Sequence, residues 1–97
     1  MNKAALTPVD ERNATLSGVV DFDTVPALYD QLITWLPKAS DVTVSLQDVV
    51  SCNSAALAMI VELKADALEI GTSVSFVHVP KELEDLAHLS CNALHLI

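Results

Sequence analysis

Three adjacent residues, Cys52, Asn53 and Ser54, are the best placed in this chain to carry chemistry. They follow an alternating apolar run and open a long helical pattern. A polar side chain in a first helical turn can accept hydrogen bonds from backbone N–H groups that have no partner inside the helix. The same free N–H groups and the helix dipole favour negative charge, so a phosphate added to Ser54 would be well stabilised there. Ser54 is expected either as a plain N-cap or as a phosphorylation site. Other chemistries have less to work with. Cys52 and Cys91 match no C-x-x-C or zinc spacing and are expected to be free, inert thiols. His78, His88 and His95 come from different elements and lack ligand spacing. The two glycines cannot build a phosphate loop, and no nucleophile–base or acid pair can be assembled. The expectation is a non-catalytic protein with no cofactor and no metal.

Periodicity predicts the elements that position this junction. Residues 3–8 read as a weak strand, residues 10–13 as a charged turn and residues 14–20 as a second strand in a hairpin with the first. Gly18 inside that strand suggests a bulge or a close backbone approach. Asp21, Asp23 and Thr24 ahead of Pro26 form a helix-start signature. Val25, Leu28, Leu32 and Trp35 or Leu36 then recur at helical spacing until Pro37. Residues 41–46 alternate as a strand, residues 47–53 form a polar bend, and a helix over 54–70 stops at Gly71. Residues 72–79 alternate again, with Val74, Phe76 and His78 on one side and Ser75, Val77 and Val79 on the other. Pro80 opens a helix over 81–89, and the tail 90–97 reads as a short helix or an edge strand. The fold class is α/β. A hairpin leads into two right-handed crossovers, giving a mixed β-sheet of four to five strands with helices mainly on one face. Residues 1–97 are expected to form a single domain.

The long helix carries more apolar surface than one sheet contact needs. Glu62, Asp66 and Glu69 cluster in one narrow polar strip and the surface opposite is apolar over most of the circumference, with Ala56, Met59, Ile60, Leu63, Ala67 and Ile70 forming one stripe. Leu57, Val61, Ala65 and Leu68 form a second stripe, with Lys64 between the two. Either a neighbouring helix covers this second stripe, or it stays open for a partner.

Charge narrows the choice of partner. Thirteen acids against five bases leave a net charge of −8, which disfavours nucleic acid and anionic membranes and suits a basic protein. One Trp, one Tyr and two Phe supply few stacking platforms for single-stranded nucleic acid. No stretch approaches the ~20 apolar residues of a spanning helix, so direct membrane insertion is not expected. The N-terminus lacks an apolar signal-peptide core, and a cytoplasmic protein is expected.

The strand VTVSL, the segment QDVVSCNSAALAMIVELKADALEIG and the strand VSFVHV together resemble a STAS domain. The match to the family pattern lies at Leu46, Asp48, Ser54, Leu57 and Gly71, and SGVVDFDTVPALYDQL resembles the family's second strand and first helix. Asp48 follows a strand as in a receiver domain, but the supporting acidic cluster and a five-fold β-α repeat are missing. Acyl carrier proteins are all-helical and carry Asp-Ser-Leu where this chain reads Asn-Ser-Ala. Within the family, the chain is most similar to the MlaB-like branch of stand-alone STAS proteins. That resemblance implies an accessory subunit docked on the ATPase of an ABC phospholipid transporter, and through it on the membrane permease, in maintaining outer-membrane lipid asymmetry. It also implies a location peripheral to the inner membrane, through the partner. The implied interface is Cys52, Asn53, Ser54, Ala55, Leu57, Ala58 and Val61. The other family role is an anti-sigma factor antagonist switched by phosphorylation at Ser54. Two departures bear on that switch: Asn53 stands where the family pattern has Asp, and Ala55-Ala56 stand where a Gly is common.

Overall fold

The computed structural model describes residues 4–89, together with the side chains up to residue 87; the tail 90–97, with Cys91 and His95, and the His88 side chain lie outside the described part. The chain order is β1 (Ala5–Pro8), β2 (Asn13–Val20), α1 (Val25–Trp35), β3 (Asp41–Cys52), α2 (Ser54–Glu69), β4 (Ser73–Val77) and α3 (Lys81–Leu89). The described strands form one mixed sheet in the order β1-β2-β3-β4. The β1–β2 pair is antiparallel, whereas β2–β3 and β3–β4 are parallel.

Strand alternation decides which face the helices cover. Leu16 and Val20 on β2, Val42, Val44 and Leu46 on β3, and Val74 and Phe76 on β4 are buried. Their alternates, including Thr15, Thr43, Ser45, Ser73 and Ser75, are not. One face is therefore apolar and carries the helices, and the other is lined with hydroxyls and faces outward. Leu28 and Leu32 of α1, Ile60 and Leu63 of α2, and Leu83 and Ala87 of α3 join the sheet residues in one buried cluster.

Local chemistry explains the turns. In the β1–β2 hairpin, Asp10 Oδ1 accepts the backbone N–H groups of Arg12 (2.7 Å) and Asn13 (2.8 Å). These bonds hold the Asp10 carboxyl below its usual pKa, even though it is fully exposed. At the start of α1, Asp21 Oδ1 accepts from the Asp23 and Thr24 N–H groups, and the Thr24 hydroxyl donates to Val19 O (2.8 Å). Pro26 then occupies the first turn.

Strand β3 differs from expectation. It does not bend after Leu46 but continues to Cys52. Thr15 pairs with Ser45 and Ser17 with Asp48, so β3 spends three steps where β2 spends two. Gly18 pairs with Val49 and Val19 with Ser51, a second extra residue on β3. Two bulges thus let Gln47 and Asp48 sit in a paired strand without forcing a polar side chain inward. Gly18, at φ 87, adjoins the second bulge, as its position in the strand suggested. His78 also departs from its expected place: it lies beyond β4, exposed, at φ 55, rather than inward with Val74 and Phe76.

Candidate functional site

The junction expected to matter is built by the C-terminal ends of two parallel strands and the start of α2. The Asn53 N–H donates to Val20 O (3.3 Å), which ties the end of β3 to the end of β2. Asn53 has extended backbone angles, and its Oδ1 accepts the Ala55 N–H at 2.9 Å. Asn53 is therefore the N-cap, correcting the expectation that Ser54 would serve in that role. The physical reason is backbone conformation: a capping residue is non-helical, and the chain becomes helical one residue later, at Ser54. Ser54 is the first helical residue and is exposed.

Cys52, Asn53 and Ser54 share a shallow depression with Glu82, Asp85 and Leu86 of α3. Burial, reinforced by the charge of Glu82, pushes the Cys52 thiol pKa up, so the thiol stays protonated and poorly nucleophilic near neutral pH. A phosphate on Ser54 would gain from the helix dipole but would share this depression with two carboxylates.

The expected interface residues divide into two sets. Ala55 and Leu57 are buried, so they support the junction from below. Ser54, Ala58 and Val61 are exposed, and Cys52 and Asn53 are half-buried. Of the second apolar stripe, Leu57 is core, while Val61, Ala65 and Leu68 are open to solvent, Leu68 at 68 %. The open stripe thus swings at its N-terminal end from Leu57 to Ala58. Met59 is 2 % exposed and belongs to the core.

Beside this stripe a groove runs between α1 and α2. Phe22, Val25, Pro26 and Tyr29 form one wall; Ala58 and Glu62 form the other, above Ala55 and Met59. Phe22 is 70 % exposed and did not figure among the sequence candidates. The signal was present, since Asp-Phe-Asp puts a large aromatic in a turn where only polar residues serve the local hydrogen bonding. The Tyr29 hydroxyl donates to Asp66 and fastens α1 to α2. Burial and the Asp66 carboxylate keep that hydroxyl protonated well above its ordinary pKa.

The apolar void between α2, α3 and the sheet, lined by Leu16, Leu46, Ile60 and Leu83, measures about 10 Å³, room for a single water and not for an acyl chain. Among the described residues, no group of three or more His, Cys, Asp or Glu side chains is placed to hold a metal. No described helix is long and apolar enough to cross a membrane.

Comparison with known proteins places this geometry. A search of curated proteins finds no match. Among solved structures, the fold is similar to the anti-sigma factor antagonist SpoIIAA in its unphosphorylated form, with a TM-score of 0.68, 8 % identity, and coverage of 90 % of this chain and 79 % of that one. It is also similar to a chain described as Mglu, with a TM-score of 0.62 and 20 % identity. There the likeness covers 81 % of this chain but only 20 % of the larger one. At these identities the likeness is one of fold. The family model described as "Mlab, STAS domain" matches residues 9–91. STAS domains are generally interaction and regulatory modules, in keeping with a surface that is open rather than enclosed. The chain belongs to the STAS domain family, in its MlaB-type branch.

Proposed function

We propose that this protein is the accessory subunit of an ABC phospholipid transporter. In this reading it docks on an MlaF-like ATPase, supports that ATPase from the cytoplasmic side of the inner membrane, and performs no catalysis itself. The transporter maintains outer-membrane lipid asymmetry. The observation that carries the reading is the match to the MlaB-type branch across residues 9–91. The geometry agrees with it, because the family's docking junction presents Ser54, Ala58 and Val61 to solvent while Asn53 holds the helix start rigid. The apolar void between α2, α3 and the sheet is too small for an acyl chain, which suits a subunit that acts through protein contact.

The alternative, an anti-sigma factor antagonist switched at Ser54, draws on the exposure of that hydroxyl at a helix start. The placement of Glu82 and Asp85 beside it weighs the other way. Affinity purification from the native host separates the two. An ABC ATPase that co-purifies in stoichiometric amount, with loss of its ATPase activity when this chain is deleted, is the expected result. Recovery of a sigma-regulating kinase, with a phosphate at Ser54 in the intact mass, would overturn the transporter reading.

A further inference from the structure

The outward face of α2 is largely apolar, which neither the fold nor the capping of the helix requires. Ser54, Ala58, Val61, Ala65 and Leu68 are all open to solvent, at successive spacings of four, three, four and three. Any outward helix face recurs at three and four residues; what stands out is that four of these five residues are apolar, so the face can serve as a seam along which another helix packs. Within a fold that has already buried Ala56, Ile60, Leu63 and Ala67, a second apolar seam facing water has no packing partner among the described residues. Small and larger residues alternate along it from Ala58 to Leu68. Such an alternation lets a partner helix approach closely at Ala58 and Ala65 and interlock at Val61 and Leu68.

The flanks state the partner's charge. Glu62 and Glu69 run beside the seam on the side facing α1, and Asp30 stands across the groove from Glu62. Among the described residues, no base lines that groove. A second copy of this chain would set these carboxylates against their own kind on a molecule of net charge −8, which argues against self-association through the seam. An extended peptide is also a poor fit. The groove walls are helices whose backbone groups are already paired, so a partner finds side chains here and no strand edge.

We propose that the α2 seam and the adjoining groove seat an amphipathic helix of the partner protein, apolar along one heptad stripe and carrying Lys or Arg along the edge that faces Asp30 and Glu62. The inference rests on the docking reading above and names the chemistry of the docked element.

The test uses the full chain in its native host. A photo-crosslinking amino acid is placed at Ala58 and, separately, at Ala65, and the attached peptide is sequenced. The expected product is one partner peptide with apolar residues at three- and four-residue spacing and at least two flanking Lys or Arg. The purified pair is then titrated at low and high salt. Val61→Asp should abolish binding. The double variant Glu62→Gln/Glu69→Gln should weaken it about 5-fold at low salt and hardly at all at high salt. Circular dichroism identical to the parent confirms that both variants fold. A crosslink to a second copy of this chain, or to a peptide without that apolar spacing, overturns the proposal. So does a partner whose affinity is unmoved by both variants, although that outcome leaves docking itself intact. If no protein co-purifies or crosslinks, the docking reading fails and this inference fails with it.

Discussion

At the scale of single residues, the division of labour between Asn53 and Ser54 carries the most weight. Asn53 accepts a backbone N–H that would otherwise have no partner, and Ser54 stands beside it without that duty. Asn53→Ala should therefore destabilise the protein by about 1 kcal/mol, whereas Ser54→Ala should stay within about 0.5 kcal/mol of the parent. Urea denaturation of the two variants checks this, and equal losses would reassign the cap. Asp10 gives a second residue-scale prediction. Its carboxyl pKa is lowered by the N–H groups of Arg12 and Asn13, so its contribution is complete above the unfolded-state value and disappears as pH falls through the lowered folded-state value. The stability gap between the parent and Asp10→Ala should be constant near neutral pH and should shrink below about pH 4. Urea midpoints measured across pH 2.5–7 (roughly the range over which carboxylates titrate) give the comparison.

At the scale of elements, the joint between α2 and β4 depends on two left-handed residues that meet. Gly71 at φ 75 ends α2, and Ala39 at φ 50 lies against it, its N–H donating to Ile70 O (3.0 Å). A side chain at φ > 0 is strained, so Gly71→Ala should lose about 1 kcal/mol and Ala39→Gly should gain roughly 0.5 kcal/mol. Thermal melts of both variants should move in opposite directions. The faces of α2 are separable in the same way. Met59→Ala, in the core, should destabilise by about 2–4 kcal/mol, and Val61→Ala should have little effect on stability. The sequence put Met59 in the stripe with Ile60 and Leu63, and Leu57 in the second stripe and the expected interface. Leu57 is buried instead, because α2 turns its broad apolar face against the sheet and leaves Ala58, rather than Leu57, outward.

At the scale of the whole molecule, net charge sets two responses to salt that run in opposite directions. Thirteen acids against five bases repel one another in the folded state. Added NaCl should raise the melting temperature of the isolated protein, by an amount equivalent to about 0.5–1 kcal/mol between low and physiological salt. The same salt should weaken its complex with a basic partner. Differential scanning fluorimetry and a binding titration over one salt series read both. A melting temperature that falls with salt would mean that attraction between charges outweighs repulsion in this fold.

The sequence by itself determined the kinds and order of the elements, because period-2 and period-3.6 patterns of Val, Leu and Ala admit few alternatives at this length. It also determined the family, whose pattern is spread over nearly the whole chain. It located the junction at residues 52–54, since a strand, a polar break and a helix start are all local signals. Only the tertiary structure decided that β3 runs on to Cys52, because the two bulges are defined by pairing with β2, and Gly18 hints at one of them without showing which strand carries the extra residue. It decided that Asn53 caps the helix, a matter of one residue's backbone angles. It also placed Phe22 beside Ala58 and Asp30 across from Glu62, residues more than thirty positions apart that become neighbours only when α1 and α2 pack side by side. The physical reason is common to all three. Periodicity reports which residues face a core, whereas a surface is made by residues whose proximity is set by packing.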